Sequence, residues 1–381
     1  MTREDRDKGK SNKLHSYYDY NLLFLTIFLV CFGLVMVYST SSYNAARETG
    51  NPAFYLEKQG AFAIFGVVVM LIVSKIDYRI YKHKLPVLKI RPIIALYFVC
   101  ILLQIAVLIF AKEINGSKRW LSLGPLGTFQ PSELSKVGII LFTAYVVSLA
   151  PKKLDKFTGF IRIMILVLPL IGLVLSQNFS TALVMGLITV AICFVASRKK
   201  LYFIVSGGLL TGLGSIFIFF VSYRSERIEV WKNVETHPKG YQILQGLYAI
   251  ASGRIFGKGL GESMQKLGFI PESHNDMIFA VICEELGLFG AVAVILLFVL
   301  IIWRLFVIAV NAPDLFGGLI ATGVLTHIAA QVLINVAVVT NTIPSTGIPL
   351  PFISYGGSSL LVLLAEMGIV LSVSNQIKYE R

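Results

Sequence analysis

Apolar runs long enough to cross a bilayer recur along nearly the whole chain, and they restrict the fold more than any motif does. They fall at about 20–40, 53–74, 93–111, 131–149, 160–177, 179–196, 201–221, 276–303, 314–341 and 355–376. A helix rises about 1.5 Å per residue, so about 20 apolar residues match the hydrocarbon thickness. Lipid offers no partner to an open backbone amide, so segments of this length must be helical. The composition agrees: mean hydropathy is +0.75, with 56% of the 381 residues hydrophobic and only 14% charged. The expected fold class is all-α, a polytopic integral membrane protein with about ten transmembrane helices.

The polar remainder sets the organisation. Residues 1–19 are a basic tail carrying Arg3, Arg6, Lys8, Lys10 and Lys13. The apolar run that follows is too long for a signal peptide and has no convincing cleavage site, so it reads as a retained span. Residues 20–376 form a single transmembrane domain, and 377–381 are a short C-terminus. The tail and the loops 75–92, 150–162 and 197–200 hold most of the short-loop Lys and Arg. With ten spans these segments share one side, which the positive-inside bias makes cytoplasmic, together with both termini. The long segment 222–275, between spans seven and eight, is then extracytoplasmic. Its seven basic residues are no objection, because long loops escape the bias. Within it Leu244, Leu247, Tyr248, Ala251 and Ile255 recur at helical spacing, predicting a helix in the outer interface.

The net charge of +13 invites a nucleic-acid reading, but the basic residues sit in loops between spans, so no nucleic-acid partner is expected. Cys31, Cys100, Cys193 and Cys283 lie singly inside apolar runs, and the five histidines are scattered. Neither pattern has disulfide or metal-ligand spacing.

Three clusters can carry chemistry. In residues 115–136, NGSKRWLSLGPLGTFQPSELSK, Pro131 suits a first helical turn, and Glu133 with Lys136 shares a face as an ion pair. Charges entering a span face a bundle interior or a wet cavity, although such a pair can also simply lock helices together. Trp120 is either an interfacial belt residue or a stacking surface for a sugar or headgroup, with Arg119 beside it for phosphate. In residues 340–359, TNTIPSTGIPLPFISYGGSS, three prolines and three glycines rule out a regular helix in a stretch too apolar for water. A re-entrant-like loop buried in protein before the last span fits. Just upstream His327, Gln331 and Asn335 form a polar stripe that marks the inward face of span nine.

The third cluster, residues 257–287, reads GKGLGESMQKLGFIPESHNDMIFAVICEELG. Ser273 and Asp276 have capping-box spacing ahead of an apolar run. Asp276 is either a helix cap or a carboxylate held at the mouth of a cavity for proton transfer. Arg254, Lys258 and Lys266 are near it in sequence and would lower its pKa. Glu284 and Glu285, about 12–13 Å further along the helix, read as structural pairing groups.

Together these motifs resemble the SEDS family of bacterial shape, elongation, division and sporulation proteins, across residues 20 to 376. The resemblance rests on NGSKRWLSLG with FQPSELSK, GKGLGESMQKLGFIPESHNDMIFAVICEELG, and STGIPLPFISYGGSS. It implies a peptidoglycan glycosyltransferase that polymerises lipid II, the lipid-linked disaccharide-pentapeptide. The enzyme would work at the outer face of the bacterial cytoplasmic membrane during growth, division or sporulation. Its implied partners are a class B penicillin-binding protein and other divisome or elongasome membrane proteins. By motif, Asp276 matches the family's essential aspartate, and Trp120, Glu133 and Lys136 match its functionally sensitive residues. In that reading Asp276 accepts the proton of a sugar hydroxyl. Arg119, Lys136, Arg254 and Lys258 are candidate phosphate partners and His274 a further substrate contact. A divalent cation (Mg2+ or Mn2+) is the alternative charge stabiliser. Where many members carry Pro-Asp-Leu-Gly-Thr, this chain has Gln177-Asn178-Phe179-Ser180-Thr181, so no catalytic role is expected at that hairpin. The competing class is a transporter of the same precursor, because intramembrane charges and broken helices serve either function.

Overall fold

A computed structural model describes residues 15–84, 90–111, 118–122, 124, 127–203 and 222–379. Among these residues nine helices are long and apolar enough to span a membrane. In chain order the helices are α1 (Tyr20–Thr49), α2 (Phe54–Lys75), α3 (Pro92–Phe110), α4 (Pro131–Leu149), α5 (Phe157–Gln177) and α6 (Phe179–Ala196). Then come α7 (Ser222–Lys232), α8 (Tyr241–Gly253), α9 (Ile278–Asn311), α10 (Leu315–Val339) and α11 (Gly357–Asn375). All but the short α7 and α8 are span-length. The expected span at 201–221 lies almost wholly outside the described residues. Phe203 follows α6 by a few residues, and Arg227 of α7 donates to the Ser345 carbonyl in the loop between α10 and α11.

Both ends of the chain meet. β1 (His15–Tyr17) pairs antiparallel with β4 (Ile377–Tyr379), which puts the first and last described segments at the same end of the bundle. That end also carries ion pairs between spans. Asp19 caps α1 through Leu22 N–H and takes Arg304 of α9 at 2.7 Å, and Asp314 takes Arg79 and Lys82. At the other end β2 (Leu121–Ser122) and β3 (Thr128–Phe129) make a small ribbon in the loop that leads to α4.

The arrangement in depth follows from composition. α4 and α11 have 72% of their spanning windows buried, whereas α2, α3 and α5 bury 28% or less. The outer helices therefore turn large apolar side chains such as Ile64, Ile109 and Leu168 outward, where lipid covers them. The inner helices pack through small residues, as membrane helices do when lipid is as apolar as leucine. A β-carbon at Gly368 of α11 would lie 2.7 Å from the Met70 carbonyl of α2, and one at Gly323 of α10 would meet Ile140 of α4 at 2.7 Å. Polar and ionisable side chains consequently collect in the middle, around α4, α10 and α11.

Candidate active site

Two irregular segments at the end of the bundle away from the β1–β4 pair build the site, and each holds the other. The first is the loop between α10 and α11. Prolines 344, 349 and 351 deny it a helix, and Asn341, Gly347 and Phe352 take positive φ. Ile348, Leu350, Phe352 and Ile353 are nonetheless buried. Its backbone groups find partners inside the protein. Gln59 of α2 donates to the Ser354 carbonyl and accepts from Gly356 N–H, while Ser354 Oγ accepts from Leu350 N–H. Gly33 of α1 lets the loop press on that helix, since a β-carbon there would lie 2.5 Å from the Phe352 carbonyl. The expected re-entrant-like loop is present, and protein rather than lipid surrounds it.

The second segment is the turn before α9. Asn335 of α10 donates from one amide to the Asp276 carbonyl (2.8 Å) and to the Ile348 carbonyl (2.9 Å), so a single side chain clamps both segments. Ser354 Oγ donates to the Asn275 carbonyl, Tyr355 N–H donates to the His274 carbonyl, and Ser273 Oγ donates to the Thr40 carbonyl of α1. The capping reading of Ser273 and Asp276 does not hold: α9 starts at Ile278 with no side-chain cap. Ser273 is instead spent on α1. His274 is buried with its ring between Tyr55 and Tyr355, and burial depresses its pKa, so it is a packed neutral imidazole.

Gln242 of α8 donates to the Asp276 carboxyl in a long contact of 3.5 Å. A methyl group on Gly347 would stand 3.9 Å from Oδ2. Burial first, then the negative charge of Glu272, raises its pKa to about 6, against an opposing pull from Arg227. The lowering expected from Lys258 and Lys266 is not found, because those lysines are committed elsewhere. Lys258 pairs with Glu284 at 2.6 Å and Lys266 with Glu285 at 2.7 Å. Both glutamates are fully buried, as expected of structural pairing groups.

Gly347 is the hinge between the aspartate and a narrow cleft. It lines the cleft with Arg119, Trp120, Glu133, Lys136 and Gln331. Glu133 and Lys136 form an ion pair at 3.0 Å, both buried, and Ser359 of α11 donates to Glu133 at 2.8 Å. Arg119 donates to the Gln177 carbonyl. The Gln331 Oε1 atom is buried with no hydrogen-bond partner among the described residues. The cleft volume of about 50 Å³ holds a few waters and no sugar ring, so a saccharide needs it to open. Asp276, Trp120, Arg119, Glu133 and Lys136 are thus brought into one region, while Arg254 and Lys258 line a different groove beyond the far end of α8. Gln242 escapes motif-by-motif reading, whereas the polar stripe on α10 already pointed at Asn335 and Gln331, and Gly347 and Ser359 lie within the proline- and glycine-rich motif. No group of three or more His, Cys, Asp or Glu converges among the described residues in a way that could hold a metal. Glu133 is committed to Lys136, so these side chains do not make a cation cage.

Comparison with known proteins gives the family. The FtsW/RodA/SpoVE family model, described as cell cycle protein, matches residues 20–379. A probable peptidoglycan glycosyltransferase FtsW of Trichlorobacter lovleyi is 37% identical over 370 residues, covering 95% of this chain and 94% of its own. Stage V sporulation protein E of Bacillus subtilis is 37% identical, covering 95% and 98%. Among solved structures, a chain of a peptidoglycan synthase complex that coordinates polymerization and crosslinking superposes with a TM-score of 0.77. It is 28% identical and covers 94% of this chain and 98% of its own. Thermus thermophilus rod shape determining protein RodA gives 0.68 at 27% identity, covering 94% and 97%. With the family model matched from residue 20 to 379 and relatives 37% identical over nearly its full length, the chain belongs to the FtsW/RodA/SpoVE group, the SEDS family.

Proposed function

We propose that this chain is a peptidoglycan glycosyltransferase that polymerises lipid II at the outer face of the bacterial cytoplasmic membrane, with Asp276 as its general base. The observation that carries the reading is the state of that carboxyl. It is anchored by its own backbone through Asn335, it forms no salt bridge among the described residues, and it sits across Gly347 from the cleft. A pKa near 6 leaves it ionised at neutral pH yet basic enough to accept a proton, which is what general-base catalysis requires.

In the proposed step Asp276 takes the proton from a sugar 4-hydroxyl as that oxygen bonds to the anomeric carbon of the donor. The bond from that carbon to the polyprenyl pyrophosphate breaks, and the electron pair leaves with the pyrophosphate. Attack opposite the leaving group inverts the anomeric centre. Arg119, and Lys136 beyond its pair with Glu133, supply positive charge on the cleft side where negative charge develops. Trp120 offers a flat apolar face for a sugar ring.

The partner in this reading is a class B penicillin-binding protein that cross-links the strands, with other divisome or elongasome membrane proteins beyond it. The support is the superposition on a complex in which polymerization and crosslinking are coordinated. Cytoplasmic termini and an outer segment 222–275 are supported by the paired chain ends, which stand with Arg79, Lys82 and Arg304. One observation favours a second reading, precursor transport: Glu133–Lys136 and His327–Glu366 are buried ion-pairing groups on helices within the bundle. Vesicles holding purified protein and lipid II, with and without a class B partner, separate the two. Glycan strands are the expected product; precursor translocated without extension would overturn the enzyme reading.

A further inference from the structure

The groove that holds Arg254 has no role in the chemistry at Asp276, and its construction calls for one. Segment 253–259 is knitted to a break in α9 at Gly287, where φ is +65°. Lys258 and Gly259 N–H donate to the Glu284 and Glu285 carbonyls, and Leu288 and Phe289 N–H donate to the Arg254 and Ile255 carbonyls. The glycines make this possible: a β-carbon at Gly253 would lie 1.9 Å from the Cys283 carbonyl, and one at Gly257 2.1 Å from that of Glu285. Arg254 itself has φ +50° and ψ −139°, a conformation suited to glycine, yet this chain puts an arginine there.

The result is an open groove of about 1000 Å³. Arg254 is exposed in it, and no carboxylate pairs with Arg254 among the described residues. Lys258 is already neutralised by Glu284. Gln265 lines the same groove and holds a buried Oε1 with no partner among the described residues, an acceptor waiting for an O–H or N–H. Ile255, Phe256 and Phe289 stand exposed alongside, with the two phenylalanine rings stacked at 6.2 Å. An anion ligand, a hydroxyl or amide ligand and an apolar shelf thus lie together, matching a phosphorylated saccharide on a lipid chain. α8 connects this place to the base. Gln242 near its start contacts Asp276, and Arg254 follows its last residue, about 18 Å away along the axis. Gln245 and Ser252 lie between them on the same flank as Gln242, by helical periodicity.

We propose that this groove seats the pyrophosphate of the acceptor, the lipid-linked disaccharide whose 4-hydroxyl Asp276 deprotonates, with Arg254 as the anion ligand. This rests on the glycosyltransferase reading above. The acceptor's reacting hydroxyl and its pyrophosphate are at opposite ends of a disaccharide, so two separate sites are required, and α8 spans the interval. The donor's pyrophosphate leaves on the other side of Asp276, by Arg119.

Two measurements test it. In nanodiscs, Arg254→Gly raises KM for lipid II about tenfold, the scale of one lost charge-assisted contact. Because glycine suits the backbone there, the melting temperature does not fall, and Arg254→Lys restores most of the KM. Binding is then read without turnover, on the Asp276→Asn chain, using polyprenyl pyrophosphate, phosphatidylglycerol and inorganic pyrophosphate as separate probes. The expected result is that adding Arg254→Gly weakens polyprenyl pyrophosphate binding in parallel with the KM. Unchanged KM and affinity would overturn the proposal. So would loss of phosphatidylglycerol binding alone, which would make Arg254 a general headgroup anchor. If Asp276→Asn still polymerised at the wild-type rate, the base assignment would fail, while the binding arm would still report on Arg254.

Discussion

Asp276 illustrates what a local pattern can and cannot say about one residue. Its position, a carboxylate where a polar turn enters an apolar run, was legible in Ser273-His274-Asn275-Asp276. Its acidity was not, because the lysines closest in sequence face Glu284 and Glu285, while Gln242 and Gly347 come from remote elements. The group that matters electrostatically is Glu272, a like charge in the same turn. A base must be deprotonated to work, so a folded pKa of about 6 makes the turnover rate fall about tenfold per pH unit below that value. Glu272→Gln removes a charge that opposes ionisation, so it lowers the Asp276 pKa and moves the acidic limb to lower pH. A pH–rate profile of both proteins checks this, and an unmoved or upward-shifted limb would contradict it.

At the scale of elements, hydropathy found the helices and misjudged their ends where the interior is polar. α4 and α6 begin and end as expected, because Pro131 and Asn178 are visible start signals, the second as a cap accepting from Thr181 N–H. α1 continues to Thr49 instead of stopping near 40, and its added turns are rich in polar residues, with Thr40 and Ser41 satisfied by carbonyls one turn back. α9 runs on to Asn311 past Arg304, whose charge is met by Asp19, almost three hundred residues earlier. Hydropathy stops at the first polar or charged residues, and here those residues find partners within the protein, so the helices run on. The glycine-rich stretch before Asp276 similarly looked like weak evidence, yet it is the joint between the outer segment and α9. Gly257 and Gly261 both have positive φ (77° and 87°), but only Gly257 would drive a β-carbon into backbone. Gly261→Ala therefore costs about 1–2 kcal/mol from conformation alone, whereas Gly257→Ala costs about 3 kcal/mol or more. Thermal melts in one detergent should rank them in that order.

Over the whole molecule, a ring of lipid-facing helices encloses α4, α10 and α11, and ionisable groups are confined to that interior or to the two ends. Fold class and inward face could be read from apolar runs and from the His327, Gln331 and Asn335 stripe. The meeting of three sequence-distant motifs at one outer cleft could not, because it depends on which small residues let helices and loops touch. In the proposed mechanism that meeting is what makes the bundle a catalyst: the Asn335 clamp holds Asp276 across Gly347 from the cleft lined by Trp120, Glu133 and Lys136. The most direct measurement is polymerisation of lipid II by purified protein with its class B partner, comparing wild type, Asp276→Ala and Asp276→Asn at neutral pH. Loss of the base should lower glycan synthesis by about 10²- to 10⁴-fold in both variants with the melting temperature preserved. Glycan strands made by either variant at the wild-type rate would contradict it.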